Sequence, residues 1–368
     1  MSLHAILPLI EPVLRALEVP DPVGLQLYSA SHLAALHHPP LNPDLPALLA
    51  CVEPVDLDAI RRVLLNQYPG THPVQIVRGD QTVEQFTLET LVQATSPDSR
   101  ALIYITPLPQ ASSFERFQEI IAHLRAPEGC PWDRKQTHSS LRPYLLEETY
   151  EVLEALDAGD MVALREELGD LLLQVVLHSQ VAVDAGTFRM GDIIAGINSK
   201  IIRRHPHVWG SVEANDDEQV KVNWDRLKQA EKQANGDEKT PSRLDGVSKV
   251  LPALSQALSY QDRAARVKFD WDTIEPVIAK IHEEIEEVLT APDAESREKE
   301  IGDLLFAVVN WARWLKIDPE GALRGTNGRF YQRFYYVEQQ AAAQNRPLDQ
   351  MSLAEMDALW EEAKSNGL

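Results

Sequence analysis

Four short stretches hold the residues best placed to do chemistry. They are LLEETYEVL at 145–153, REELGDLLLQVV at 165–176, IHEEIEEVL at 281–289 and EKEIGDLLFAVV at 298–309. Residues three apart on a helix share a face. Glu148 therefore points with Glu151, Glu167 with Asp170, Glu284 with Glu287, and Glu300 with Asp303. Each pair sits at the edge of an apolar run, where a helix is partly withdrawn from water. Carboxylates gathered in such a place repel one another, and burying an unpaired charge costs several kcal/mol per ion. A divalent cation removes the conflict, and an all-oxygen donor set suits Mg²⁺ or Mn²⁺. No Cys or His belongs to these sets, which argues against zinc. A di-iron bundle needs Glu-x-x-His on two helices, and neither EELGDLLL nor KEIGDLLF supplies the His. The bland alternative is a solvated acidic face. Matched spacing and duplication weigh against it.

The elements that must position these acids follow from texture along the chain. Residues 1–110 are rich in proline and mix short β-rich runs, around 75–79 and 101–109, with helical patterns at 57–68 and 82–94. This alternation predicts a small α/β module. PLP at 107–109 and ASS at 111–113 read as a hinge. Helical periodicity then runs through 114–126, 140–157, 161–184, 190–204 and 216–234. Gly, Pro and charge break it at NGDEKTPSRLDG, and it resumes from 248. His205 and His207, in HPHV, read as helix-end structure rather than as a metal pair.

The two helical halves are a repeat. Trp132-Asp133 is echoed by Trp271-Asp272, Glu148 by Glu284, Glu167 by Glu300, and Trp224 with Lys228 by Trp360 with Lys364. The glutamates recur at intervals of 136 and 133 residues, far too long for a solenoid unit. A duplicated domain of helical-bundle type is the reading. The expected organisation is mainly α: a module at 1–110, one all-α domain at 111–235, a linker at 236–247 and a second all-α domain at 248–368.

Bulk composition narrows the function. The chain has 368 residues, with 56 acidic against 35 basic side chains and a formal charge of −21. That balance disfavours a nucleic-acid binder. Two cysteines, Cys51 and Cys130, give neither a disulfide framework nor a metal spacing. The first residues lack a basic n-region and a small-residue cleavage site, and no uncharged apolar run approaches a membrane span. A cytoplasmic protein with no membrane partner is expected.

Seven motifs in this order resemble the MazG family of all-α nucleoside triphosphate pyrophosphohydrolases, in its two-copy form. They are GCPWDRKQT (129–137), LLEETYEVL, REELGDLLLQVV, KIIRRHPHVWG (200–210), VKFDWD (267–272), IHEEIEEVL and KEIGDLLFAVVNWARWL (299–315). The resemblance covers 114–368 and implies hydrolysis of a triphosphate to monophosphate and diphosphate with Mg²⁺. It implies metal ligands at Glu148, Glu151, Glu167 and Asp170 in copy one, and at Glu284, Glu287, Glu300 and Asp303 in copy two. Glu147 and Glu283, adjacent to ligands, are candidates to orient or deprotonate the water. Candidate substrate-binding residues are Asn198, Lys200, Arg203 and Arg204 in copy one. Those in copy two are Lys280, Lys299, Asn327, Arg329, Arg333 and Trp360. The family pattern implies Lys at 329, where this chain has Arg. The C-terminal copy is expected to carry the activity, and a homodimer is expected from the apolar helix at 301–315.

LLNQYPGTHPVQIVRG (64–79) and ALIYITPLP (101–109) resemble the C-terminal part of a tetrapyrrole methylase domain. The Gly-rich cofactor half is absent, so no methyltransferase activity is expected. The alternative to the hydrolase is a non-enzymatic helical interaction module with a regulatory partner.

Overall fold

The structure is a computed structural model. It describes residues 7–19, 22–98, 100–212 and 242–368, together with 216, 219, 220, 223, 224 and 227. Lys228, most of the expected helix at 216–234 and the expected linker up to 241 lie outside the described residues. The chain divides into two compact units. One comprises Met1–Thr149 with Leu168–Ile194, the other Tyr150–Glu167 with Ala195–Leu368.

The first unit opens with α1 (Leu7–Ala16), β1 (Gln26–Ser29), α2 (Ala30–Ala34), β2 (Ala47–Ala50) and α3 (Leu57–Leu64). β3 (Pro73–Val77), β4 (Val83–Thr87) and β5 (Leu102–Ile105) complete a five-stranded sheet in the order β1-β2-β5-β3-β4. β1 runs parallel to β2, and the other pairings are antiparallel. Side chains alternate between two buried faces. Leu49 and Ile103 join the cluster that holds Leu33, Ile60 and Leu64. Leu48, Leu102 and Tyr104 join the one that holds Val13. Such period-two burial on both faces explains the near-continuous apolar run in β5.

The segment 82–94, expected to be helical, is strand β4 followed by a short 3₁₀ turn at Leu91–Gln93. Val83 and Phe86 have helical spacing, whereas in the strand they face opposite sides of the sheet, Val83 toward the cluster with Val13 and Phe86 toward the cluster with Leu33. Tertiary pairing decides it. Gln81, with φ +70°, turns the chain, Arg78 N–H donates to the Thr82 carbonyl at 2.9 Å, and the Arg78 guanidinium grips Glu84 at 2.6 Å. The expected hinge is also tethered. The Ser112 amide donates to Asp44 at 2.7 Å and the Ser113 hydroxyl at 2.5 Å. Burial pushes the Asp44 carboxyl up, but these bonds and the nearby Arg116 charge outweigh it and hold it below its ordinary range.

Ser113 caps α4 (Phe114–Arg125), whose Ile121 packs in a cluster with Leu141, Val176, Leu177, Val181 and Met190. α5 (His138–Ala158), α6 (Met161–Asp184), α7 (Met190–Arg204) and α8 (Pro206–Trp209) follow. His205 Nδ1 lies 2.7 Å from the Ile201 carbonyl, a tie to the end of α7. The division between units passes through α5 and α6. Glu148 and Asp170 therefore fall in one unit, and Glu151 and Glu167 in the other.

The second unit ends in five helices: α9 (Ala253–Ala265), α10 (Glu275–Thr290), α11 (Ala294–Trp314), α12 (Pro319–Ala343) and α13 (Leu353–Ser365). Their starts are written locally. Pro276 occupies the first turn of α10. Asp293 caps α11, and Asp318 caps α12 with Pro319 at its first position. Ser352 and Glu355 form a reciprocal capping box on α13. Only Ala291–Asp293 separates α10 from α11, so the two form a helical hairpin that packs along its length. Among the described residues no helix is long and apolar enough to cross a membrane.

Candidate metal centre

The α10–α11 hairpin brings copy two's acids together. Glu284 and Glu287 lie one turn apart on α10, and Glu300 stands on α11. Each offers a carboxylate oxygen, and the three oxygens lie within 4.8 Å of one another. Asp303, one turn beyond Glu300, lies outside that cluster but lines the same cavity as Glu284.

Glu284 is 4% exposed, an unusual place for a carboxylate. Its Oε1 meets the Lys280 ammonium at 2.8 Å. Its Oε2 is buried with no hydrogen-bond donor. Lys280 also donates to Glu283 at 2.8 Å. The hydrogen bonds that Lys280 donates, first to Glu283 and then to Glu284, push the lysine pKa well above its ordinary value. Glu287 titrates above the ordinary carboxylate range. Desolvation is the first cause, followed by the Glu284 charge, with Lys280 opposing both. Three carboxylates against one ammonium leave the cluster short of positive charge.

A cavity of about 410 Å³ adjoins these acids, and Lys280, Glu284 and Asp303 line it. Tyr260, Phe269, Trp271 and Phe306 form an aromatic wall, and Gln261, Asn310 and Arg313 add polar groups. A mostly apolar cleft with a few fixed polar groups suits a small molecule with one flat, apolar end. Arg313 is locked at 2.7 Å to both oxygens of Asp270, and its Nε donates to Asn310 Oδ1 at 2.9 Å. Phe269, Trp271, Phe306, Asn310 and Arg313 lie within the motifs at 267–272 and 299–315, but sequence reasoning gave none of them a place in a cavity wall. One signal was available: Asn310 interrupts the apolar run 304–311 of α11.

The other expected residues are placed as follows. Glu283 is exposed and paired with Lys280. Lys299 is exposed and pairs with Glu295 along α11. On α12, Asn327 is exposed and Arg329 donates to the Thr326 hydroxyl at 2.9 Å. Arg333 donates to the Leu368 carbonyl and lies over the Trp360 ring at 5.7 Å. Trp360 also packs on Phe330, with centroids 5.2 Å apart. Lys280 is the one expected basic residue that lines the cavity.

In copy one, Glu151 and Glu167 offer carboxylate oxygens within 4.8 Å of each other. Glu148 accepts from Gln174 Nε2 at 3.4 Å, and Glu147 is exposed on α5. Asp170 is half-buried on α6. On α7, Asn198, Lys200 and Arg203 are exposed, and the Arg204 guanidinium lies 4.9 Å from the Trp224 ring centre.

Comparison with known proteins bears on this arrangement. A family model described as the MazG nucleotide pyrophosphohydrolase domain matches residues 136–209. The chain is 44% identical over 251 residues to the nucleoside triphosphate pyrophosphohydrolase/pyrophosphatase MazG of Thermotoga maritima, covering 68% of this chain and 95% of that one. It is 42% identical over 259 residues to the nucleoside triphosphate pyrophosphohydrolase of Escherichia coli K12, covering 69% and 97%. With the uncharacterized protein YabN of Bacillus subtilis it shares 40% identity over 367 residues, 94% of this chain and 72% of that protein.

Proposed function

The chain belongs to the MazG family of nucleotide pyrophosphohydrolases and is an enzyme of that class; from this premise we propose that it cleaves nucleoside triphosphates to monophosphate and diphosphate at a magnesium-dependent centre in copy two. The observation that carries the reading is Glu284 Oε2, a buried oxygen without a donor inside a cluster of three carboxylates. Native structures rarely leave such an atom unsatisfied. A cation answers both the orphaned oxygen and the surplus of negative charge.

Glu284, Glu287 and Glu300, with Asp303 beside them, would hold the ion, and their oxygen donors suit magnesium or, as a substitute, manganese. A bound cation of this kind supplies charge neutralisation for phosphate oxygens and a lower pKa for a coordinated water. Lys280 reaches the phosphates from its place between Glu283 and Glu284 and offsets the charge of the departing diphosphate. Glu283 accepts the proton of the attacking water. The water oxygen bonds to the α-phosphorus as the bond to the α,β-bridging oxygen breaks, giving monophosphate and diphosphate. Lys299, Asn327, Arg329 and Arg333 are proposed phosphate contacts, with Trp360 behind them. The aromatic cavity takes the nucleoside and keeps bulk water from it. Copy one offers a second set in Glu148, Glu151, Glu167 and Asp170, with Glu147 beside them and Asn198, Lys200, Arg203 and Arg204 on the following helix. Copy two ranks first because Lys280 and the cavity adjoin its acids.

The test is product identity. Each triphosphate incubated with enzyme and magnesium should yield monophosphate and diphosphate. Release of nucleoside diphosphate and orthophosphate would overturn attack at the α-phosphorus.

Two further assignments rest on the same reading. Residues 1–110 are proposed as an α/β module resembling the C-terminal part of a tetrapyrrole methylase domain, ahead of tandem MazG domains at 111–235 and 248–368. A homodimer is proposed because large side chains stand bare on α11 and α12, including Leu305 at 52%, Phe330 at 59% and Tyr331 at 71% exposure. Sedimentation should give twice the chain mass of 41.3 kDa, and a monomer at micromolar concentration would remove this assignment.

A further inference from the structure

Two aromatic side chains stand bare beside the copy-two acids, and the short segment that carries them is fixed from two directions. Phe269 is 81% exposed and Trp271 43% exposed, yet both line the cavity that Glu284 and Asp303 also line. Before them, α9 ends in a Schellman-type turn. Phe269 N–H donates to the Ala264 carbonyl at 3.1 Å, and Lys268 N–H to the Ala265 carbonyl at 2.9 Å. Lys268, with φ +63°, takes the left-handed place that glycine usually fills in such a turn.

Between the two aromatic residues, Asp270 is the second anchor. Its Oδ1 and Oδ2 each accept from Arg313 Nη2 at 2.7 Å. Oδ1 also accepts from the Trp314 indole at 3.3 Å and from the Trp271 amide at 3.0 Å. The Asp270 and Arg313 side chains are mostly shielded from solvent, so salt screens their attraction weakly. Arg313 Nε is held in turn by Asn310 Oδ1. One carboxylate thus ties residues 269–271 to the last turn of α11, and none of its partners belongs to the acid cluster.

Ordering a segment and leaving apolar rings in water both oppose folding. A core would use such rings by burying them. Here they are instead kept at fixed places in a wall that also carries Glu284 and Lys280. A flat heteroaromatic ring is the ligand that fixed aromatic faces suit, and stacking tolerates any base because every base has a π-face.

We propose that Asp270 is a positioning residue for the nucleoside: by gripping Arg313 and Trp314 it holds Phe269 and Trp271 where they stack on the base. The proposal rests on the hydrolase reading for its substrate. It divides the labour of the site, with the base on residues 269–271 and the phosphates at the acids. Damage to Asp270 should therefore cost nucleoside affinity while leaving cation binding and the chemical step in place.

Three measurements on the full chain test it: calorimetric binding of AMP in excess chelator, steady-state kinetics on ATP with magnesium, and the magnesium-induced rise in Tm. Asp270→Asn should raise both the Kd for AMP and the KM by on the order of tenfold, the worth of a stacked base. Its kcat should stay within about threefold, the mark of lost uniform binding. Its magnesium-induced rise in Tm should match that of the unaltered chain. Phe269→Ala removes a ring that folding does not bury, so it keeps the test alive if Asp270→Asn does not fold, and it should weaken AMP and ATP alike. A purely structural role for Asp270 would lower Tm and the folded fraction but leave Kd and KM unchanged. Unchanged Kd and KM in Phe269→Ala, or in a folded Asp270→Asn, overturn the proposal and leave the hydrolase intact. AMP binding that weakens in both variants, with no triphosphate cleaved by the unaltered chain, overturns the hydrolase and leaves the positioning role. An unaltered chain that binds no AMP overturns the proposal.

Discussion

The two acidic hairpins carry the same four acids in the same order, yet their surroundings differ. Glu284 is met by an ammonium, Lys280, four residues upstream on its own helix. Glu148 has Tyr144 at that position and accepts a hydrogen bond from Gln174. Glu284 and Asp303 line a cavity whose polar wall includes Gln261, Asn310 and Arg313. In copy one, 133 residues earlier, the positions of Asn310 and Arg313 hold Leu177 and Gln180, and Leu177 is in an apolar core cluster. A set of acids at matched spacing can therefore recur without the polar cavity wall that accompanies it beside Glu284. The residues that surround the set make that difference.

The largest effect should come from deleting a ligand in each copy. Glu300→Ala is expected to lower kcat/KM by about a hundredfold or more, since even outer-shell changes at metal sites cost 10–100-fold. Glu167→Ala should cost far less. If only Glu167→Ala abolishes turnover, the ranking of the copies is reversed.

Metal linkage should separate the copies next. At a concentration about 100 times its Kd, magnesium stabilises a folded site by about 2.7 kcal/mol, which raises Tm by several degrees. Glu284→Gln should remove most of that gain and Glu148→Gln little of it. A chain whose melting ignores magnesium up to millimolar concentration would lose its proposed centre.

The lysine contrast gives a smaller effect. Lys280→Met leaves Glu284 buried and unpaired, and with the lysine partly solvated the cost should be about 1–2 kcal/mol without metal. Magnesium should restore much of it. A loss that metal does not touch would mean that Lys280 is only a packing residue.

The pH effect is smaller again and has a definite sign. Glu287 titrates above its ordinary value in the folded chain, so folding favours its protonated form. Its contribution is complete below the unfolded carboxylate range and is lost as pH rises through the raised folded value. Metal binding runs the opposite way, because the ligand must lose its proton. The magnesium-induced gain in Tm should therefore fade as pH drops through that window, and Glu287→Gln should flatten the metal-free profile. An unchanged profile in the variant would show that Glu287 is not crowded by its neighbours.

How much of this was legible follows from where each residue sits. The acid pairs could be read because three-residue spacing on a helix is local and the pattern occurs twice. The helices at 138–158, 161–184 and 190–204 agree closely with their periodicity, because apolar positions and caps lie within each segment. Segment 82–94 was misread because Val83 and Phe86 have helical spacing, while pairing with β3 makes a strand that buries them on opposite faces. The cavity wall was hidden for a related reason. Gln261 reaches Phe306 across 45 residues, and Arg313 reaches Asp270 across 43. Neither partner is implied by anything near it in the chain. The basic residues divide the same way. Lys280 is four residues from Glu284 and meets it, whereas Arg329 and Arg333, on another helix, bond elsewhere.

The central claim is that a divalent cation binds where α10 and α11 bring their carboxylates together. Crystals grown or soaked with manganese test it by anomalous scattering. The expected result is a peak bonded to oxygens of Glu284, Glu287 and Glu300. Manganese bound elsewhere, or none at these oxygens at millimolar concentration while the enzyme turns over, would contradict it.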